Sequence, residues 1–289
     1  MIPPAFDYHA PQTLEEALSL LDEYGDDAKI LSGGHSLIPM MKLRLAQPEH
    51  IVDINALTEL EYIREENGVI YIGGLTREVA LEESDIIHAR LPLVSEVLPL
   101  IADPQVRNLA TIGGNLAHGD PGNDHPAVML ALGATIVAQG PEGKRSIHIN
   151  DFFEDFYMTA LEPEEILTEI QIPVPPQGSG GSYKKLERKV GDYAVAGVAA
   201  QVTVDGSGAC TSAGLALTNV HYIPFKVTDG EDVLVGSKLD KEAIEKAAGI
   251  ASEQCDPSND LRGSVEYKRA MVLELTRRAL RDAANQARG

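Results

Sequence analysis

Between Pro104 and Asp124 the chain reads PQVRNLATIGGNLAHGDPGND, with four glycines (Gly113, Gly114, Gly119 and Gly122) set between apolar segments. Glycine loses more backbone freedom on ordering than any other residue. An ordered run of this kind therefore makes sense where another backbone or a ligand must come close. A second run of the same character, SGGHSL from Ser32 to Leu37, lies far upstream. It follows an apolar stretch, Ala28 to Leu31, that reads as a short buried strand. Ser36 is placed to cap a helix with Pro39 in its first turn. Strand, Gly-Gly turn and helix start together make an anion site, because free amides point outward and the helix dipole favours negative charge. The spacing is not GxGxxG, so a Rossmann dinucleotide fold is not signalled. We read the two runs as the walls of one site for a phosphate-bearing cofactor.

The charge balance sharpens that reading. Net charge is −20, which repels nucleic acid backbones and anionic membranes. Arg107 is the only Lys or Arg between Ile101 and Asp124. A bound diphosphate would thus be held mainly by backbone N–H groups. No stretch approaches the roughly 18 consecutive apolar residues of a membrane span. The segment MIPPAFDYHAPQ lacks the basic-then-apolar pattern of a secretory signal, so a cytoplasmic location is expected. Cys210 and Cys255 sit in no metal-ligand spacing.

Along the chain, Thr13 to Glu16 predicts a capping box, followed by Leu14, Ala17, Leu18 and Leu21 on one helix face and Gly25 just past its end. A helix from Leu37 is expected to carry Met40, Met41 and Leu45. Strands are expected at 50–54, 69–72, 135–138, 146–149 and 166–172, and helices at 76–83, 92–102 and 125–132, with 104–124 a loop. PVPPQGSGG, from Pro173 to Gly181, reads as a linker crossed by few contacts. Beyond it, strands at 183–189, 194–204 and 209–218 precede helices at 225–236, 240–253 and 265–287. The fold class is α+β. A first domain spans 1–177, in subdomains of about 1–56 and 57–177, and a C-terminal α+β domain spans 178–289.

Several side chains have two readings each. His35 is a catalytic base or covalent flavin attachment point, or a plain loop histidine, and the second is preferred. His118, Asp120, Asp124 and His125 match no metal motif. A polar loop, with Asp124 at a helix start or reaching a ribose hydroxyl, is the better reading. Lys184, Lys185, Arg188 and Lys189 form the most basic patch, by default a solvated strand face. Tyr193 covers a flat cofactor, or is a buried strand tyrosine. No Ser/His/Asp triad, P-loop or nucleophile elbow is present.

With FDYHAP, GGHSLIPMMKLRLA, IADPQVRN, TIGGN, GDPGND, IPVPP and KLERKVGDYA, the chain resembles, over essentially its whole length, the medium FAD-binding subunit of molybdenum hydroxylases of the xanthine dehydrogenase family. Within that family it is most similar to medium subunits of aerobic carbon monoxide dehydrogenases. The resemblance implies FAD between the halves of the first domain and the C-terminal domain. Ser32, Gly33, Gly34, His35, Ser36 and Leu37 would form one wall, and Thr111, Ile112, Gly113, Gly114 and Asn115 the other. Ile101 and Leu167 would pack against the flavin or adenine portions. Asp124 would bind a cofactor hydroxyl, while Lys185 and Tyr193 would reach towards the isoalloxazine ring. It further implies a large molybdopterin subunit, a small subunit with [2Fe–2S] clusters, a dimer of heterotrimers, and a quinone or other acceptor, with membrane contact at most peripheral. Alternatives are the medium subunit of another molybdenum hydroxylase acting on an aldehyde, N-heterocycle or acyl-CoA, a stand-alone FAD-linked oxidase, or a non-catalytic nucleotide-binding module.

Overall fold

The computed structural model describes residues 2–289. It begins with β1 (Asp7–His9), α1 (Leu14–Tyr24), β2 (Ala28–Leu31), α2 (Leu37–Leu43) and β3 (His50–Asp53). The three strands form a parallel sheet in the order β1-β3-β2. The Thr13 hydroxyl accepts from Glu16 N at 3.2 Å, and Glu16 reaches back one residue further than a standard box, to Gln12 N at 2.8 Å. Ala17, Leu18 and Leu21 are buried, as their helical spacing predicts. Helix α2 is shorter than expected. Arg44 turns left-handed at φ 61°, and Leu45 is left 73% exposed.

A second, antiparallel sheet in the order β4-β5-β10-β6-β7 carries the middle of the chain. Its strands are β4 (Ile63–Glu66), β5 (Val69–Gly73), β6 (Thr135–Gly140), β7 (Gly143–His148) and β10 (Ile166–Pro173), with a small hairpin of β8 (Phe153–Asp155) and β9 (Met158–Thr159). Between β5 and β6 come α3 (Glu78–Glu82), α4 (Asp85–Arg90), α5 (Pro92–Val97), α6 (Pro104–Arg107), α7 (Ile112–Ala117) and α8 (Asp124–Leu132). The stretch 104–124 is thus not one loop but holds α6 and α7. Asp103 and Thr111 supply their caps, accepting from Val106 N at 2.9 Å and Gly114 N at 3.1 Å. Glycine content hid α7, whose helical state rests on that cap and on burial of Ile112 and Leu116. The helix expected over 92–102 stops at Val97 and tightens into a 3-10 turn, because Pro99 has no N–H to continue it. Strands β1, β4, β8 and β9 and helix α4 were not expected. They are short, and their burial patterns give no clean period.

The C-terminal sheet runs β11 (Ser179–Leu186), β12 (Ala196–Val204), β13 (Cys210–Thr218) and β14 (Phe225–Lys226), all antiparallel in that order. Helices α9 (Thr228–Leu234), α10 (Lys241–Gln254) and α11 (Val265–Arg288) follow. The last three residues of the expected linker, Ser179 to Gly181, are therefore strand. A Cβ at Gly180 would strike the carbonyl of Ala283 in α11, so glycine here serves close packing rather than flexibility. Few contacts were expected across this region, yet Tyr183, Ala199 and Ala216 of the C-terminal sheet join one buried cluster with α5, α8 and β10. The opposite face of that sheet forms a separate core with α9, α10 and α11.

Candidate functional site

The two glycine turns meet. Ser32 Oγ and Thr111 Oγ1 lie 3.1 Å apart. A Cβ on Gly33 would come 2.6 Å from Leu109 O and 2.7 Å from the Ala110 Cα, and one on Gly114 would come 2.7 Å from Ser32 Oγ. Absence of side chains at these positions is what lets the N-terminal parallel unit and the antiparallel unit touch here. A crevice of about 650 Å³ opens at the junction, lined from all three sheets' surroundings. That lies within the range of about 300–1,000 Å³ typical of small-molecule sites.

Ser32, Gly33, Gly34, His35, Ser36, Leu37, Ile101, Thr111, Gly113, Gly114, Asn115, Asp124, Leu167, Lys185 and Tyr193 all line the crevice. Ile112 does not. Its side chain is fully buried in the core and its N–H donates to Thr76 O at 3.1 Å. Helical geometry turns this apolar residue into the core beside Leu116, one helical turn on.

The turns are not equivalent. Among the described residues, the N–H groups of Gly33, Gly34, His35 and Ser36 have no hydrogen-bond partner, with Gly34 at φ 75°. In the second turn, Gly113 N donates to Gly74 O, Gly114 N to Thr111 Oγ1 and Asn115 N to Thr111 O, at 3.1, 3.1 and 2.9 Å. The expectation that both turns present free amides holds for the first, whereas in the second the N–H groups of Ile112 to Asn115 are all paired. The second offers the Thr111 hydroxyl and Asn115, whose Oδ1 is buried without a partner.

Asp124 starts α8 and is 5% exposed. Its Oδ1 accepts from Tyr183 OH at 2.6 Å and its Oδ2 from Lys185 Nζ at 2.8 Å. Burial pushes this carboxyl above its ordinary value, and the Lys185 ammonium opposes the shift. Burial likewise holds Tyr183 far above its ordinary value, so its phenol stays a donor. The Lys185 side chain, 2% exposed, also donates to Leu100 O at 2.9 Å. It is not part of a solvated face, because β11 is covered here by the α5–α8 layer. Lys184 fits neither extreme, being paired with Glu96 at 3.2 Å and Asp282 at 2.9 Å.

Tyr193 is not a buried strand residue. It stands in the loop before β12, 46% exposed, with the Arg262 guanidinium 5.5 Å from its ring centroid. Its phenol is pushed up to about 12, first by burial and then by Asp120 nearby. Asp120 also faces Tyr157, a crevice residue that sequence reading missed. Tyr157 belongs to the β8–β9 hairpin tip at φ 58°, and no periodic pattern marks it. Gly74 and Gly191 were missed likewise. The role of each depends on a distant neighbour, Leu167 for Gly74 and Ala102 for Gly191. Of the four polar residues weighed as a metal cluster, His125 is fully buried and bonds Glu78 at 2.7 Å, apart from Asp124's partners. Arg107 is buried against Glu82 and Ile101 O, at 2.8 and 3.0 Å, and does not line the crevice.

Unpaired amides, a cradle free of side chains and the buried Lys185–Asp124 pair line a crevice of dinucleotide scale whose chemistry suits an anion. Residues 4–175 match the family described as the FAD binding domain in molybdopterin dehydrogenase, and the chain belongs to that family. Residues 181–283 match the CO dehydrogenase flavoprotein C-terminal domain. The chain is 50% identical to the carbon monoxide dehydrogenase medium chain of Hydrogenophaga pseudoflava, covering 98% of each. It is 48% identical to that of Afipia carboxidovorans, covering 100% of both. A solved structure of the Hydrogenophaga pseudoflava enzyme, lacking the Mo-pyranopterin moiety of its molybdenum cofactor, superposes with a TM-score of 0.97 at 49% identity over 99% of each chain. The crevice fits FAD on its own chemistry: the free Gly33–Ser36 amides suit phosphate oxygens, and the orphaned Asn115 Oδ1 suits a donor.

Proposed function

We propose that this chain is the FAD-binding medium subunit of a molybdenum-containing carbon monoxide dehydrogenase, relaying electrons from an iron–sulfur subunit to an external acceptor such as a quinone. The observation that carries the proposal is the junction of the two glycine turns, with unpaired amides on one side, in a chain so similar to carbon monoxide dehydrogenase medium chains. When bound, FAD would supply reversible uptake of electrons, and the protein's part is to bind, orient and tune it.

Each lining residue has a task in this reading. Gly33, Gly34, His35 and Ser36 receive phosphate oxygens on their N–H groups, with Leu37 beside them. Thr111, Gly113, Gly114 and Asn115 close the opposite wall. Ile101 and Leu167, each 7% exposed, exclude water with apolar contact. Lys185, paired with Asp124, reaches towards the ring. Asp124 orients Lys185, which fits its two occupied oxygens better than a bond to a cofactor hydroxyl. Tyr193 covers a ring face. The division into 1–177, with halves at about 56/57, and 178–289 gives each wall its own unit.

Further parts of the reading concern the assembly. A large molybdopterin subunit would oxidise the substrate, a small subunit would carry two [2Fe–2S] clusters, and two such heterotrimers would pair. The complex would work in the cytoplasm, meeting its acceptor at the inner membrane face. No helix of the described residues is long and apolar enough to cross a membrane.

Purification of the chain alone and with its partner subunits tests the proposal. The chain alone should bind FAD with a yellow flavin spectrum and fail to oxidise carbon monoxide, whereas the complex should oxidise it. A colourless chain that ignores added FAD would overturn the flavin site, and carbon monoxide turnover by the chain alone would overturn the relay role.

A further inference from the structure

Two residues outside both glycine turns tie the turns to each other. Residues 76–78 are stitched to the second turn by backbone bonds: Glu78 N donates to Ala110 O at 2.9 Å and Ile112 N to Thr76 O at 3.1 Å, with Arg77 bridged to Thr111. The Arg77 guanidinium then spans two acceptors. Nη2 donates to Asn55 Oδ1 at 2.6 Å, and Nη1 donates to Leu109 O. Asn55, just past β3, passes the connection on. Its Nδ2 donates to Ser32 O at 2.8 Å and to Asp53 Oδ1 at 2.6 Å, while its own N–H donates to Asp53 Oδ1 at 2.9 Å. One side-chain relay therefore runs from the carbonyl that opens the first turn to the carbonyl of Leu109 before the second.

Neither Arg77 nor Asn55 lines the crevice. They do not touch a ligand there, so any effect must pass through the turns. The first turn needs such support. Its amides lack partners, and its backbone bonds, from Ile38 N to Gly34 O at 3.1 Å and from Met40 N to Ser36 O at 3.2 Å, tie it to α2 and not to the opposite wall. The Ser32–Thr111 hydroxyl contact is the direct link between walls, and a hydroxyl rotor is a weak constraint. A planar guanidinium holding two acceptors fixes both distance and orientation.

We propose that Arg77 and Asn55 are positioning residues for the cofactor diphosphate, a clasp that sets the gap between the two turns and keeps the Gly33–Ser36 amides aimed into the crevice. This rests on the flavin reading of the site. The test is titration of the deflavinated full-length chain with FAD, followed by flavin fluorescence. Arg77→Gln and Asn55→Ala each raise the FAD dissociation constant about tenfold, and the double variant is no weaker than the weaker single, because the two act as one unit. Arg77→Lys keeps the charge but not the fork, and binds as poorly as Arg77→Gln. The melting temperature of the apo chain stays near wild type, since the sheets on either side do not depend on the clasp. Should Arg77→Gln fail to fold, Arg77→Lys and Asn55→Ala carry the same comparison. Wild-type affinity in the variants, additive losses, full rescue by lysine, or a fall in apo melting that accounts for the loss would each overturn the clasp. A wild-type chain that takes up no FAD would instead overturn the site itself, and the clasp with it.

Discussion

At the scale of single residues, the buried Asp124–Lys185 pair is the most consequential feature. A carboxylate this buried tolerates its charge only with a partner. Lys185→Met is expected to destabilise the chain by about 3–5 kcal/mol in urea unfolding, because it leaves Asp124 uncompensated, and a further Asp124→Leu change should restore most of the loss. Gly114→Asp is expected to abolish FAD binding, seen as loss of the flavin spectrum. Its Cβ would sit 2.7 Å from Ser32 Oγ and 2.8 Å from Thr111 Oγ1, with the carboxylate against the phosphate wall. Asp192 gives a pH signature. Hydrogen bonds from Arg262, and next from Arg188, hold its carboxyl at about 2, below its ordinary 3.8. A lowered folded-state value means the stabilisation is complete above the unfolded value and lost as pH falls through the folded one. Asp192→Asn should therefore flatten the acid limb of stability between about pH 4 and pH 2, read by thermal melting at each pH.

At the scale of elements, local signals were legible where a cap or a period was complete. Thr13 opened α1 as predicted, and Leu18 and Leu21 faced inward. The stretch 104–124 was misread because its glycines and prolines were weighed above its caps, Asp103 and Thr111, which open α6 and α7. PVPPQGSGG was misread in the same sense. Gly180 and Gly181 belong to β11, and at Gly180 the strand lies against α11 so closely that a side chain has no room. Gly180→Ala is accordingly expected to destabilise the chain by about 1–3 kcal/mol, since the obstruction is backbone of α11 that cannot rotate away. Equilibrium denaturation would measure it, and an unchanged midpoint would show that α11 can shift.

For the whole molecule, the core is continuous where the sequence suggested a boundary. Tyr183, Ala199 and Ala216 share a buried cluster with α5 and α8. A fragment of residues 1–177 should therefore expose that face and lose both Lys185 and Tyr193 from the crevice. Its expected behaviour is aggregation or loss of FAD, checked by size-exclusion chromatography with absorbance detection. Ligand linkage acts at the same scale. FAD at about 100 times its dissociation constant should stabilise the intact chain by about 2.7 kcal/mol, visible as a rise in melting temperature.

By itself the amino-acid sequence determined the glycine turns, the Thr13 cap, the apolar faces of the long helices, and the resemblance that led to a flavin site, whereas Ser36, expected to cap α2, makes no side-chain capping bond. All of these depend on neighbours a few positions away, within reach of backbone geometry. Only the tertiary structure decided that Gly33 to Ser36 keep their amides free while those of Ile112 to Asn115 are paired, that Ile112 points into the core, and that Asp124 is held by Tyr183 and Lys185 rather than left open to a ligand. Those outcomes depend on which strand lies against which helix. Asp124 and Lys185 are 61 positions apart, and nothing local to either records the packing that buries them together.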